Sequence, residues 1–277
     1  MGKRLRIGRL AAYLFGFFWA FMTIFPLLIT FLSSMKDNIE INMGMFQLPT
    51  VWRFQNYLDA WNDAHIGRAV GNSIFLSVGT TLLVTFVGIL GSYVLARKQK
   101  WKVTRYLYSM FLVGVMVPIH CTIIPISTLA GRMQAKNEFW FLILVYSAFN
   151  LAQAIFLFTG FISNIDREMD EAAYMDGCGD FRLLYKIILP LCKPIISTEA
   201  IFIFTFCYGE LVFALTLLSE EKKYTMSRAI LSFTGNHSVE YGPIFACIII
   251  AVLPMMVFYI LFHEKVQAGM MAGAVKG

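Results

Sequence analysis

The sequence predicts an all-α, polytopic membrane protein with six transmembrane helices, and three observations carry that prediction. Of 277 residues, 58% are hydrophobic and only 14% charged, little more than half of the roughly 25% charge usual in a soluble domain. No Asp, Glu, Lys or Arg occurs in residues 10–35, 69–96, 106–131, 139–165 or 241–263, each at least 23 residues long. A helix needs about 20 apolar residues to cross a hydrocarbon layer of roughly 30 Å. The runs also lack period-2 alternation, which favours helices over barrel strands, the two forms that satisfy backbone polar groups in lipid. Such a composition excludes a disordered chain, a disulfide-rich secreted scaffold and an ordinary cytosolic enzyme.

The first span, 10–35, follows Lys3, Arg4, Arg6 and Arg9. That front end is like a signal peptide's, but the apolar run is too long for an h-region and lacks a clear small-x-small cleavage site, so it is expected to stay as a spanning helix. The loop 36–67 contains Asp37, Pro49 and Trp52, then Phe54, Tyr57, Leu58 and Trp61 at helical spacing. This spacing predicts a short helix along the membrane surface, with Trp52 and Trp61 as interfacial anchors. The second span, 69–96, leads into a basic loop with Arg97, Lys98, Lys100, Lys102 and Arg105. The third, 106–131, holds His120 just beyond Pro118, and the fourth, 139–165, holds Asn150 and Gln153. Each of these polar residues either faces a cavity or bonds between helices.

Residues 166–194 differ in character. Four acids, Asp166, Glu168, Asp170 and Glu171, open the segment; Gly177 and Gly179 interrupt it; Pro190 and Pro194 follow an apolar run. A helix over Glu171–Met175 ending near Gly177, and a second over Phe181–Leu189, would make a compact knob. The early acids suit the positive end of the first helix. Its small Ala172 and Ala173 would let another protein approach closely. The fifth span, 195–219, is apolar apart from Glu199 and Glu210. Eleven residues between them correspond to about 16 Å of helix rise, too far for a carboxylate pair. An ionisable group inside a span is a functional candidate because an unpaired buried charge is costly. Glu210, able to accept two hydroxyl donors, and adjacent Tyr208, able to stack or donate a bond, are candidates for a polar path, although Glu210 bonding to a partner subunit is an alternative. Glu199 is read as a gating residue or as a packing one. After a polar loop at 220–240 comes the sixth span, 241–263.

Six spans place both termini on one side with the 97–105 and 166–194 segments. That side carries 15 basic residues against 8 on the other, so both termini are predicted cytoplasmic. The basic residues divide among membrane-edge loops and form no single face, which argues against nucleic acid as a partner. The five cysteines show neither zinc spacing nor a disulfide framework, and one His makes no metal case.

Glu171-Ala172-Ala173, Asp176-Gly177 and, nine residues later, Ile187-x-Leu189-Pro190 resemble the EAA motif of ATP-binding-cassette importer permeases. The stretch Ala154–Phe161 before it, Asn56-Tyr57, Asn72-Ser73 and the tail Ala272–Gly277 resemble the carbohydrate-uptake branch, of MalG type, and the likeness covers essentially the whole chain. The resemblance implies a type I importer permease fold, with 1–277 as a single transmembrane domain and 166–194 as the cytoplasmic coupling region. It implies a second homologous permease, two ATPase subunits, an extracytoplasmic solute-binding protein and a carbohydrate substrate in a lipid membrane. Glu171, Ala172, Ala173, Asp176, Gly177, Ile187, Leu189 and Pro190 would then meet the ATPase. Tyr208, Glu210, His120, Asn150 and Gln153 are path candidates, and Gly273, Lys276 and Gly277 would belong to a docking or regulatory tail. Where the family commonly has Trp-Asn before an acid, this chain has Tyr208-Gly209-Glu210, keeping the acid but losing the amide.

No catalytic residues are expected. The chain lacks a G-x-x-x-x-G-K-[ST] loop, so ATP and magnesium are expected on the separate ATPase and no cofactor on this chain. The alternatives are an ion-coupled secondary carrier, with Glu210 as its proton or ion site, and a permease for a non-sugar polar solute.

Overall fold

A computed structural model describes residues 2–98, 101–234 and 239–274, with side chains described for 9, 10, 12–98, 101–234, 239–260 and 262. In chain order its helices are α1 (Gly2–Ser33), α2 (Asn38–Met43), α3 (Gln55–Asn62), α4 (Ile66–Arg97), α5 (Lys102–Val115), α6 (Ile123–Arg132) and α7 (Phe139–Ser163). They continue with α8 (Glu168–Met175), α9 (Asp180–Leu183), α10 (Leu189–Leu191), α11 (Lys193–Gly209), α12 (Val212–Leu217), α13 (Met226–Ile230) and α14 (Tyr241–Ala274).

Among the described residues, four helices are long and apolar enough to cross a membrane unbroken: Ala12–Ser33, Ile66–Arg97, Phe139–Ser163 and Tyr241–Ile260. The third predicted span is instead a bent pair, Lys102–Val115 and Ile119–Arg132, turning through 96°. Pro118 is the cause: it has no N–H to donate and it drives the preceding residue out of the helical region. A second pair, Asp180–Leu191 and Lys193–Gly209, bends by 74°, so the fifth span and the segment before it form one broken element. The second helix predicted there, 181–189, is a short α-turn, a π-turn over Leu184–Ile188 and another short α-turn. Pro190 supplies no N–H for the Lys186 carbonyl, and the chain widens one turn earlier, where the Leu189 N–H reaches back to Leu184.

The chain forms two compact units. In the unit made of Met1–Gly67 and Ala229–Pro254, Asn56 fixes the loop that follows α1. Its buried amide donates to the Ser34 and Lys36 carbonyls, each at 2.8 Å. Lys36 is buried as well, its Nζ donating to the Gly44 and Met45 carbonyls. Asp37 caps α2 through the Glu40 N–H at 2.8 Å. On α3, Asn56 and Ala60 turn inward while Phe54, Leu58 and Trp61 are exposed. The expected apolar stripe is thus outward except at Tyr57, which is half-buried with its hydroxyl 2.8 Å from the Ser34 hydroxyl.

In the unit made of Arg68–Arg228 and Met255–Gly277, α7 is the central helix. Both α5 and α11 pack against it, and α12 packs on α6 and α7. Leu76, Val84, Leu142, Tyr146, Phe158, Ile162, Ile203 and Phe213 lie in its core, which continues through Ala96, Ala173, Leu183, Ile188 and Cys192. One apolar core therefore joins spanning helices to the short helices beyond α7. That continuity positions the site described next.

Candidate functional site

The α8 helix begins with Glu168, Asp170 and Glu171 in its first turn, where the positive end of the helix dipole favours acids. Asp166 reinforces the start by accepting the Glu168 N–H at 3.1 Å. At the other end the Gly177 N–H bonds to the Tyr174 carbonyl at 3.0 Å and the Cys178 N–H to the Ala173 carbonyl at 2.9 Å. This pairing is a Schellman motif, which needs a left-handed residue at the position Gly177 occupies. Its φ is +75°, and a Cβ built there would meet no atom within 4 Å. The constraint on Gly177 is thus its own backbone conformation rather than crowding.

A buried ion pair holds α8 to the last residue of α4. Arg97 Nε lies 2.7 Å from Asp170 Oδ2, its Nη2 donates to Asp170 Oδ1 at 3.0 Å, and its Nη1 donates to the Ile165 carbonyl at 3.1 Å. The two side chains are only 7% and 11% exposed. Nη2 makes the hydrogen bond to the carboxylate, while the Nε contact is a close ion pair without hydrogen-bond geometry. Burial pushes the Asp170 carboxyl above its ordinary range, and this outweighs the opposing pull of Arg97. Across the glycine bend, the Tyr174 hydroxyl donates to Asp180, which raises the phenol well above its usual value. Lys98 Nζ stands 3.9 Å from the same carboxylate.

Ala173 is buried in the core, whereas Glu171, Ala172, Asp176 and Pro190 are exposed and Ile187 and Leu189 half-buried. Of the two alanines read as an approach surface, only Ala172 faces outward. The outward face carries large apolar groups instead: Met175 is 88%, Phe181 84% and Tyr185 74% exposed.

The polar residues inside the helices form a second group. Glu210 interrupts the helix after α11, with an extended backbone at φ −66°, ψ 129°. Its carboxylate accepts the Phe213 and Ala214 N–H groups at 2.8 and 3.2 Å and the Tyr146 hydroxyl at 2.6 Å. It therefore caps α12 and ties it to α7. Asn150 is buried and donates to the Tyr146 carbonyl at 2.8 Å. Tyr208 is buried with its ring stacked on Phe204, centroids 5.9 Å apart. Glu199 is fully buried and faces Gln153. His120 is exposed in the 3₁₀ turn Ile119–Thr122 at the α5–α6 bend. Of the path candidates, Glu210 is bonded by the Tyr146 hydroxyl, Asn150 turns back to the Tyr146 carbonyl on its own helix, and His120 stays at the bend. Lys276 and Gly277 lie outside the described residues, and Gly273 falls within α14.

In the sequence Arg97 and Asp170 stand only as loop charges, and Tyr146 as one aromatic within an apolar span. Tyr146, Asn150 and Gln153 stand at i, i+4 and i+7 on α7, a spacing that places all three on one helical face. The acid beside Glu171 offered no comparable signal for Asp170.

A family model described as the binding-protein-dependent transport system inner membrane component matches residues 88–270. The diacetylchitobiose uptake system permease protein NgcG of Streptomyces coelicolor is 30% identical over 260 residues, covering 93% of this chain and 86% of that protein. The trehalose transport system permease protein SugB of Mycobacterium tuberculosis is 30% identical over 256 residues, covering 92% and 93% of the two chains. Among solved structures, a chain in the crystal structure of a bacterial ABC transporter involved in the import of the acidic polysaccharide alginate shares the fold, with a TM-score of 0.78 and 20% identity. That likeness covers 93% of this chain and 95% of the other.

Proposed function

The chain belongs to the family of binding-protein-dependent transport system inner membrane components, and on that premise we propose that it is a MalG-type permease subunit of an ATP-driven carbohydrate importer. It forms half of a translocation path with a second, related permease. Two ATPase subunits bind the cytoplasmic side and supply ATP and magnesium chemistry, and an extracytoplasmic binding protein delivers the sugar. Relatives named for diacetylchitobiose and trehalose uptake support the carbohydrate class. Both termini face the cytoplasm.

The observation that carries the coupling assignment is the clamp between Arg97 and Asp170 beneath an exposed face of Met175, Phe181 and Glu171. A short helix locked to the end of a spanning helix moves with it. A protein gripping the exposed face therefore displaces α4, and through the shared core α7 and α11, as one packed body. Packed interfaces switch between discrete arrangements rather than deforming continuously, which suits alternating access. Glu171 and Asp176 offer carboxylates to basic groups on the ATPase, while Gly177 and Pro190 set the backbone path of the docking element. Glu210 and Tyr146 hold the broken helix at the path wall.

The test is co-purification of the assembled complex followed by ATP-dependent uptake into proteoliposomes, with a panel of sugars presented by the binding protein. Uptake that requires the ATPase and ATP supports the reading. Uptake by this chain alone, driven by membrane potential, assigns it to the ion-coupled carriers instead.

A further inference from the structure

Between the Arg97 end of α4, the first turns of α5 and the last turns of α7 lies a cleft of about 300 Å³, lined by Leu95, Thr104, Arg105, Tyr108, Thr159, Gly160 and Ser163. On the topology proposed above, all three helix ends lie at the cytoplasmic edge of the membrane, which puts the cleft at the depth of lipid headgroups. We propose that it is a binding site for the phosphate headgroup of an anionic membrane lipid, with Arg105 as the cation that selects it.

Four observations support this. Among the described residues, no carboxylate lies within salt-bridge distance of the exposed Arg105 guanidinium. The other nearby helix-end arginine, Arg97, is buried and paired with Asp170 and the Ile165 carbonyl. Arg105 is therefore a forked donor without a partner, and phosphate oxygens match that fork. Second, polar side chains line the cleft beside Arg105, among them Thr159, whose hydroxyl oxygen has no hydrogen-bond partner among the described residues but is itself closed to solvent. Tyr108 likewise makes no hydrogen bond to the described chain and adds a phenolic donor. Third, the floor is open at Gly160, where a Cβ would meet nothing within 4 Å. Fourth, the walls turn apolar away from the headgroup level. One turn beyond Tyr108 on α5 stands Leu112, and one turn before Gly160 on α7 stands Phe156, both exposed, on the faces that carry the cleft residues. A cationic mouth over an apolar trough fits a headgroup with its acyl chain, and basic clefts between transmembrane helices are established as lipid headgroup sites. The volume is near the lower bound of about 300 Å³ for small-molecule pockets, enough for a phosphate with a glycerol-sized substituent. The proposal is independent of what the protein transports.

Native mass spectrometry of the full-length protein in mild detergent, titrated with phosphatidylglycerol or phosphatidylethanolamine, tests it. Selective retention of phosphatidylglycerol is expected. Arg105→Gln should weaken it about tenfold or more, the scale of losing a charge-assisted hydrogen bond. Gly160→Leu, which fills the cleft from a position open to a side chain, should weaken it similarly. Lys102→Gln, removing a charge from the same helix start outside the cleft, should change it less than twofold. Equal retention of the two lipids, an equal loss in Lys102→Gln, or full binding by Gly160→Leu would each overturn the proposal. Displacement of the lipid by equimolar glycerol phosphate would transfer the site from lipid to a soluble phosphate and overturn it as well.

Discussion

Asp170→Ala isolates the clamp that joins α8 to α4. The wild-type pair makes two short contacts, 2.7 and 3.0 Å, between groups about nine-tenths buried. Removing the carboxylate leaves the Arg97 guanidinium in a site built for a pair, with only the Ile165 carbonyl at 3.1 Å still engaged. Breaking one side of a buried ion pair typically costs about 3–5 kcal/mol. The surviving carbonyl contact keeps the value near the lower end, so about 3 kcal/mol shifts the docking equilibrium of α8 by a factor of about 100. Asp170→Asn keeps the shape and an acceptor, and should cost about half as much. Hydrogen-exchange mass spectrometry reads this directly. Peptides spanning 168–178 should exchange about 100-fold faster in Asp170→Ala, while those from α7 stay protected, and ATP-dependent transport should fall with the membrane-inserted amount unchanged. Unchanged exchange across 168–178, or an equal rise in every helix, would refute the clamp as a local latch.

Gly177→Ala should loosen the same element by about 1–2 kcal/mol from the left-handed backbone alone, and Gly177→Asn by less, because Asn tolerates that region. Limited proteolysis within 168–190 ranks the three. Tyr146→Phe removes the hydroxyl that holds Glu210, and Glu210→Ala also strands the Phe213 and Ala214 N–H groups. Thermal unfolding in detergent should show the larger loss for Glu210→Ala, about 1–3 kcal/mol for buried unsatisfied donors. The Tyr174 phenol, raised by its bond to Asp180, keeps its proton in the folded protein above pH ~10, where the unfolded chain loses it. Its stabilising contribution is therefore complete below that pH and fades as pH climbs further. Tyr174→Phe should flatten the alkaline side of the stability profile, and an unchanged profile would remove Tyr174 as its cause.

Four of the apolar spans could be read from the gaps between charges, because lipid tolerates few ionised groups and each gap exceeds a membrane's width, while the third and fifth predicted spans fall in bent pairs. The bends could not be placed as readily. Pro118 announces a possible break, but whether the two halves stay collinear depends on packing against α7 and α12. Glu210 shows why the interior site was only half legible. Its position inside an apolar run signals importance, yet its work as the cap of α12 depends on Tyr146, 64 residues away. Arg97 and Asp170 were visible only as loop charges, one counted toward orientation and the other toward a helix dipole. Their pairing follows from α7 returning the chain to the end of α4, which no local pattern encodes. The Gly177 turn, by contrast, is set by nearest neighbours and was legible for that reason.

The measurement closest to the central claim is site-directed cross-linking from Met175→Cys in the assembled complex, paired with membrane-impermeant labelling of the same variant in intact cells. The account predicts a cross-link to the ATPase that ATP binding modulates, and no labelling until the cytoplasmic face is opened. Labelling from outside the cell, or a cross-link to the solute-binding protein in place of the ATPase, would contradict it.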